Sequence, residues 1–212
     1  VNYAGALTAG AFTVQATPVR TNRSTQHWTL SILQAGADGA QVVTTTATAV
    51  TAVRRDTWSA GDVPMPGVPQ PTDLPAIPPG FGSEWLSRYE MRPVTGTLPR
   101  AWDGSGDHSL TQLWMRDAPP RPLDFCALAA LADVFFPRVW LRRAHRVPAG
   151  TVSITVYFHA SAAQLQETGM GYLLGQARGQ EFRNGFFDQT VQLWDEAGTM
   201  LATSHQIVYY KE

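Results

Sequence analysis

One carboxylic acid stands inside an otherwise apolar run: Asp133, in LDFCALAALADVFFP at residues 123–137. Between Asp124 and Pro137 every other residue is apolar. An acid in such surroundings is costly to ionise, and burial raises its pKa toward values useful for accepting a proton. On a helix it shares a face with Ala130, Ala129 and Cys126, at i−3, i−4 and i−7. That stripe of small side chains lets a second backbone, or a substrate, approach the carboxylate. Two readings stay open for Asp133. It catalyses or holds a water, or it is a helix-end carboxylate that finds solvent, although that end of the helix dipole disfavours negative charge.

Other residues that could do chemistry lack the right company. His108, His145, His159 and His205 show no metal-ligand spacing. Ser109 follows His108, but no G-x-S-x-G surrounds it. The glycines of GMGYLLGQARG, 169–179, open a strand rather than a helix and so do not make a dinucleotide fingerprint. Cys126 is expected to be a small buried hydrophobe, and as the single cysteine it excludes an internal disulfide.

The element that must position Asp133 is a helix over 123–137, capped by Asp124 and stopped by Pro137. Apolar on all sides, it is expected to be buried on all sides. It is too short for a bilayer, which needs about 20 residues. With 44% hydrophobic content and a formal net charge of −1, the 212 residues read as a soluble globular protein with no call for nucleic acid or membrane. A cytoplasmic enzyme or binding protein is the default expectation.

Residues 1–60 read as strands alone: AFTVQATPVRT, QHWTLSILQ and QVVTTTATAVTAV, the last two joined by the Asp-Gly turn of AGADGA. Residues 61–82 carry seven prolines and four glycines and suggest a linker or a long excursion across a surface. In 83–212 the expected order is β-like chain from Glu84, a strand SLTQLWMRD, the buried helix, then four strands at 151–160, 171–181, 185–194 and 199–210. In the first of these Val152, Ile154, Val156 and Phe158 share a face, and Thr151 points the other way unless the strand bulges at Gly150. The basic stretch RVWLRRAHR, 138–146, reads as a solvated loop.

A sparse internal repeat sets Val1-Asn2-Tyr3 against Val156-Tyr157-Phe158, and Phe12, Arg23 and Leu33 against Tyr172, Arg183 and Leu193. After a one-residue gap, Asp38-Gly39-Ala40 meets Ala197-Gly198-Thr199. Two copies of a sheet that buries a helix are expected, and the first copy lacks a helix of its own. VNYAGAL reads as the end of a strand, so native sequence upstream of Val1 is expected to supply the rest.

LAALADVFFP, GTVSITVYFHA, GYLLGQARGQEFRNGFF and LWDEAGTMLATSHQIV, in that order, resemble the acyl-CoA thioesterase II family of double hotdog proteins; RTNRSTQHW and TATAVTAVRRDTW resemble strands of its first half. The resemblance implies an α+β double hotdog, a long antiparallel sheet wrapped around a buried helix, with the first hotdog lacking its N-terminal strand and helix. It implies hydrolysis of acyl-CoA to free acid and coenzyme A without a cofactor or metal. Its water-holding residues fall by position on Asp133, Gln206 and Thr151. The repeat sets Ala47 against Gln206, so one such constellation is expected, in the second half. Gln206 shares a strand face with Ala202, Ser204 and Val208, small enough to floor a pocket.

A thioester carbonyl needs only a positioned, partly deprotonated water and some oxyanion stabilisation. Ala130 is expected to lie along the acyl chain. Arg138, Arg142, Arg143 and Arg146 could meet coenzyme A phosphates, for which Arg is suited, instead of being solvated. The expected partners are acyl-CoA and further copies of the chain in a homo-oligomer. The alternatives are a non-catalytic acyl or acyl-CoA binding module, and a hotdog dehydratase or hydratase, for which no His falls within 123–137.

Overall fold

The computed structural model describes residues 1–78 and 84–212, which divide into two compact units. Parts of the Pro-rich segment 61–82 and the start of the expected 83–212 domain therefore lie outside the described residues. The first unit is Val1–Ser59 with Thr151–Ile154; the second is Ala60–Gly150 with Thr155–Glu212.

In the first unit, segments rich in Thr and in aliphatic or aromatic residues build three long strands, β2 (Thr13–Thr21), β3 (Thr25–Ala35) and β4 (Gln41–Ala52). They pair antiparallel in the order β2-β3-β4, and a short β1 (Asn2–Tyr3) adds to β4. Asn2 also pairs with Ser153 of β7 (Ala149–Phe158). Between β3 and β4, Gly39 takes φ 81°, a conformation that glycine adopts without a Cβ clash, and its N–H donates to the Gly36 carbonyl at 3.0 Å. Val14, Val19, Val42 and Val50 are exposed, and none of the described residues of this unit is helical.

The second unit holds the rest of β7, α3 (Ala162–Thr168), β8 (Leu173–Arg178), β9 (Phe182–Arg183), β10 (Phe186–Asp195) and β11 (Met200–Tyr210). Upstream lie β5 (Tyr89–Thr95), β6 (Thr111–Asp117), α1 (Phe125–Leu131) and α2 (Arg138–Arg143). Its strand order is β7-β11-β10-β8-β6-β5. The run β8-β10-β11-β7 matches β2-β3-β4-β1 of the first unit, so the internal repeat is one of topology. The turns match too: Gly198 takes φ 89° and donates to the Asp195 carbonyl at 3.1 Å, as Gly39 does to Gly36.

The structure corrects the helix. Instead of one helix over 123–137, α1 stops at Leu131, Ala132 closes it, and α2 begins after Pro137. The Asp133 N–H bonds the Ala130 carbonyl at 3.0 Å, a tightened last turn. The residue before a proline is pushed out of the α region, so Phe136 cannot continue the helix. Leaving it lets Val134 and Phe135 drop into the core beside Leu128, Leu131 and Met115. Asp124 caps α1 as expected, its Oδ1 accepting from the Ala127 N–H at 2.7 Å.

Nor is α1 buried on every side. Ala127, Leu128 and Leu131 are buried, while Phe125, Cys126 and Ala130 are exposed, so Cys126 is not the buried hydrophobe expected. The helix buries one stripe only, and the stripe of small residues is its open side. In β7, Val152 is 38% exposed while Ile154 is buried; the two fall in the same alternation but in different surroundings.

α3 was not expected. Its signal was present, since Ser161 and Gln164 form a reciprocal capping box.

The described part of the Pro-rich segment packs on the second unit. Met65, Val68 and Leu74 cover a cluster of Trp114, Tyr172, Leu174 and Trp194. Proline offers no N–H, but the carbonyls of this segment remain acceptors. Trp114 Nε1 donates to Pro69 at 2.8 Å, and Arg92 Nη1 donates to Leu74 at 2.6 Å and Pro71 at 3.2 Å. Arg92 is itself held by Glu90, which also takes Arg116 and the Tyr172 hydroxyl. Burial alone would raise the Glu90 pKa, but these donors hold it at about 2.

Candidate active site

β11 sends every second side chain into the core: Ala202, Ser204, Gln206 and Val208 are buried, while His205 and Ile207 are not. Ser204 Oγ donates to the Ala132 carbonyl at 3.2 Å, tying the strand to the end of α1. Two residues on, Gln206 Nε2 donates to Asp133 Oδ1 at 2.7 Å. Residues 73 positions apart in sequence thus meet because strand alternation and the helix end point both inward.

Burial raises the Asp133 pKa above the ordinary aspartate value, and the Gln206 hydrogen bond opposes that rise. Gln206 is the one hydrogen-bond partner of the carboxylate among the described residues, and it takes Oδ1. Among the described residues no donor is placed on Oδ2. The field of this carboxylate also reaches Tyr89, whose pKa is raised by burial and by the charges of Asp117 and Asp133. Tyr89 carried no signal in sequence, because β5 brings it here only through the fold.

Arg138 is not on a solvated loop. It is fully buried, with Nη1 donating to Thr111 Oγ1 at 2.6 Å and to the Ser109 carbonyl at 3.2 Å. Nε donates to Gln189 Oε1 at 3.1 Å and to the Phe136 carbonyl at 3.0 Å. Burial lowers its pKa to about 9, which leaves it cationic at neutral pH. A phosphate outside cannot reach it; Pro137 starts a helix that turns Arg138 inward, where Gln189 is the cross-strand neighbour of Gln206.

Arg142 is exposed and bonds the Gly106 carbonyl at 3.0 Å; Arg143 is paired with Glu212 at 2.7 Å. Ala130 is exposed on the open side of α1. Thr151 lies on β7 in the first unit, and Asp133 and Gln206 in the second. Ser109 is committed to backbone, its Oγ exchanging hydrogen bonds with Gly179 at 2.9 and 3.1 Å. Among the described residues no group of three or more His, Cys, Asp or Glu could hold a metal ion, and no helix is long and apolar enough to cross a membrane.

Comparison with known proteins now bears on this arrangement. A family model described as the acyl-CoA thioesterase C-terminal domain matches residues 64–210, and one described as the acyl-CoA thioesterase N-terminal domain matches 1–52. Among solved structures, a conserved protein of unknown function with a hot dog fold from Alicyclobacillus acidocaldarius is 43% identical over 100% of this chain and 76% of its own, with a TM-score of 0.91. A provisionally assigned thioesterase from Novosphingobium aromaticivorans is 20% identical over 100% of this chain and 78% of its own, with a TM-score of 0.77. The acyl-CoA thioesterase II TesB2 from Mycobacterium marinum is 18% identical over 93% and 73%, with a TM-score of 0.67; at such identity these two bear on the fold alone. Comparison with curated proteins gave no match. The fold is the double hotdog, and the chain belongs to the acyl-CoA thioesterase family.

Proposed function

We propose that the protein hydrolyses acyl-CoA thioesters through a water held by Asp133. The observation that carries this reading is the half-satisfied carboxylate: Oδ1 fixed by Gln206 and Oδ2 without a protein donor among the described residues. A water on Oδ2 gives its proton to Asp133 as its oxygen attacks the thioester carbonyl carbon. The tetrahedral oxyanion collapses, the C–S bond breaks, and the departing thiolate takes up a proton. The products are a carboxylic acid and coenzyme A. Gln206 keeps the carboxylate from rotating, so orientation is set before substrate arrives. Cys126 and Ala130, exposed on α1 just before Asp133 in the chain, are the apolar surface this reading assigns to the acyl chain. The chemistry needs only Asp133 and Gln206; Thr151 enters as a further water-holding candidate from the family resemblance.

Asp133→Asn tests the reading directly. The amide oxygen of Asn can still accept from Gln206, so the local structure persists and only the base is lost. General-base catalysis contributes roughly 10²–10⁴-fold, so kcat should fall by that range with acyl-CoA binding retained. An unchanged kcat would overturn the mechanism. Tight acyl-CoA binding by the wild type without turnover would establish the binding-module alternative instead.

A further inference from the structure

A cleft of about 920 Å³ opens in the second unit at the opposite end of β11 from the 195–198 turn. It lies between Asp107–Leu110, the last turn of α2, the β8–β9 connection at 178–182 and the residues after β11. Its walls are built rather than loose. Ser109 and Gly179 exchange two hydrogen bonds across it, and Asp188 caps the N–H groups of Gln180 and Glu181 at 3.0 and 2.8 Å. A Cβ on Gly106 would strike the backbone of Leu141 and Ala144, so that loop is seated directly on α2.

Three guanidiniums and three carboxylates line the cleft. Glu212 is taken by Arg143 at 2.7 Å, Glu181 by Arg183 at 3.1 Å, and Asp107 lies 3.9 Å from His108. Among the described residues Arg142 has no carboxylate partner, its one hydrogen bond going to the Gly106 carbonyl. The Arg178 side chain makes no hydrogen bond or ion pair among the described residues. Two cations therefore retain N–H groups for an anion, and the rings of Phe182 and Tyr210 complete the wall. The volume lies within the range of small-molecule sites, and planar cations beside aromatic rings suit a phosphorylated purine.

We propose that this cleft binds a phosphorylated adenine nucleotide, with Arg142 and Arg178 on its phosphates and Phe182 or Tyr210 against its base. Two sources share that chemistry: the nucleotide end of the coenzyme A substrate, which rests on the thioesterase reading, and a free nucleotide acting as a separate ligand. Tyr210 is four residues from Gln206 on β11, roughly 13 Å at about 3.3 Å per residue. Val139, Phe187 and Val208 fill the core near that line, so a pantetheine arm joining cleft and carboxylate would run around them.

The test uses the full-length protein and Arg178→Glu, an exposed position whose change leaves no partner behind. Titration calorimetry with adenosine 3′,5′-bisphosphate reads the cleft without turnover. The variant should bind it at least roughly tenfold more weakly, the loss expected for one charge-assisted contact. Steady-state kinetics with acyl-CoA and with acyl-pantetheine, which lacks the nucleotide, then separate the sources. If the cleft serves the substrate, the bisphosphate competes with acyl-CoA, and Arg178→Glu raises KM for acyl-CoA about tenfold but leaves acyl-pantetheine unaffected. If the ligand is separate, the bisphosphate binds to the wild type without competing. No binding by the wild type, or equal binding by the variant, overturns the proposal. Absence of turnover with both thioesters, with bisphosphate binding intact, would instead sink the thioesterase reading and leave the cleft standing.

Discussion

Replacing Gln206 with Ala tests whether the Asp133–Gln206 contact governs the reaction. The wild-type contact is 2.7 Å long, with a Gln that is 2% exposed and a carboxylate whose pKa is raised by burial and lowered again by this bond. A hydrogen bond to a charged group contributes about 1.5–3 kcal/mol. Its loss falls on the ionised form of Asp133, since only the carboxylate gains from a donor. Two effects follow. At neutral pH kcat/KM should drop roughly 10- to 100-fold, because tenfold corresponds to about 1.4 kcal/mol. The acid limb of the pH profile should also move to higher pH, because the opposing bond is gone and burial acts alone. The assay is release of free thiol from acyl-CoA between pH 5 and 9. A fall in rate with an unmoved acid limb would show that Gln206 acts elsewhere than on Asp133, and no change in either would refute the site.

Further expectations follow from the same structure. Because Asp133 has a folded pKa above its unfolded one, the stability its neutral form confers is complete below the ordinary aspartate value of about 3.9 and lost as pH rises through the folded value. Asp133→Asn, neutral throughout, should therefore melt higher than wild type at pH 7 and level with it in acid, as calorimetry at both pH values will read. Gly175→Ala places a Cβ 2.6 Å from both Met115 Cε and Phe135 Cζ, so urea denaturation should show a loss of about 1–3 kcal/mol; an unchanged midpoint would mean the core there is slack. Glu90→Gln weakens the hold on Arg92, Arg116 and Tyr172. The Glu90 contribution should be present above the unfolded glutamate value of about 4.3 and disappear as pH falls toward 2, so wild type and variant should converge in melting temperature at low pH.

Much of this protein was legible in its sequence for local reasons. β2, β3, β4, β10 and β11 announce themselves because Thr, Val and aromatic side chains alternate between Gly-containing turns, and a strand needs only its own period to be seen. Asp124 marks the start of α1 because a cap acts within three residues. The Ser161–Gln164 capping box was equally local, and α3 was readable from it.

What tertiary structure decided lies where local preference and packing disagree. The apolar run 123–137 has the composition of one buried helix, yet core space for Val134 and Phe135 and the restriction before Pro137 break it in two. That break turns Arg138 from a surface cation into a buried one, which no composition reveals because its partners, Ser109 and Thr111 on one side and Gln189 on the other, come from two distant segments. The Pro-rich segment cannot form regular structure by itself, so whether it would link or cover depended on Trp114 and Arg92 offering donors to its carbonyls. Sequence marked Asp133 as an acid in apolar company. Only the fold could bring Gln206 to one of its oxygens, because that geometry depends on a strand 73 residues away.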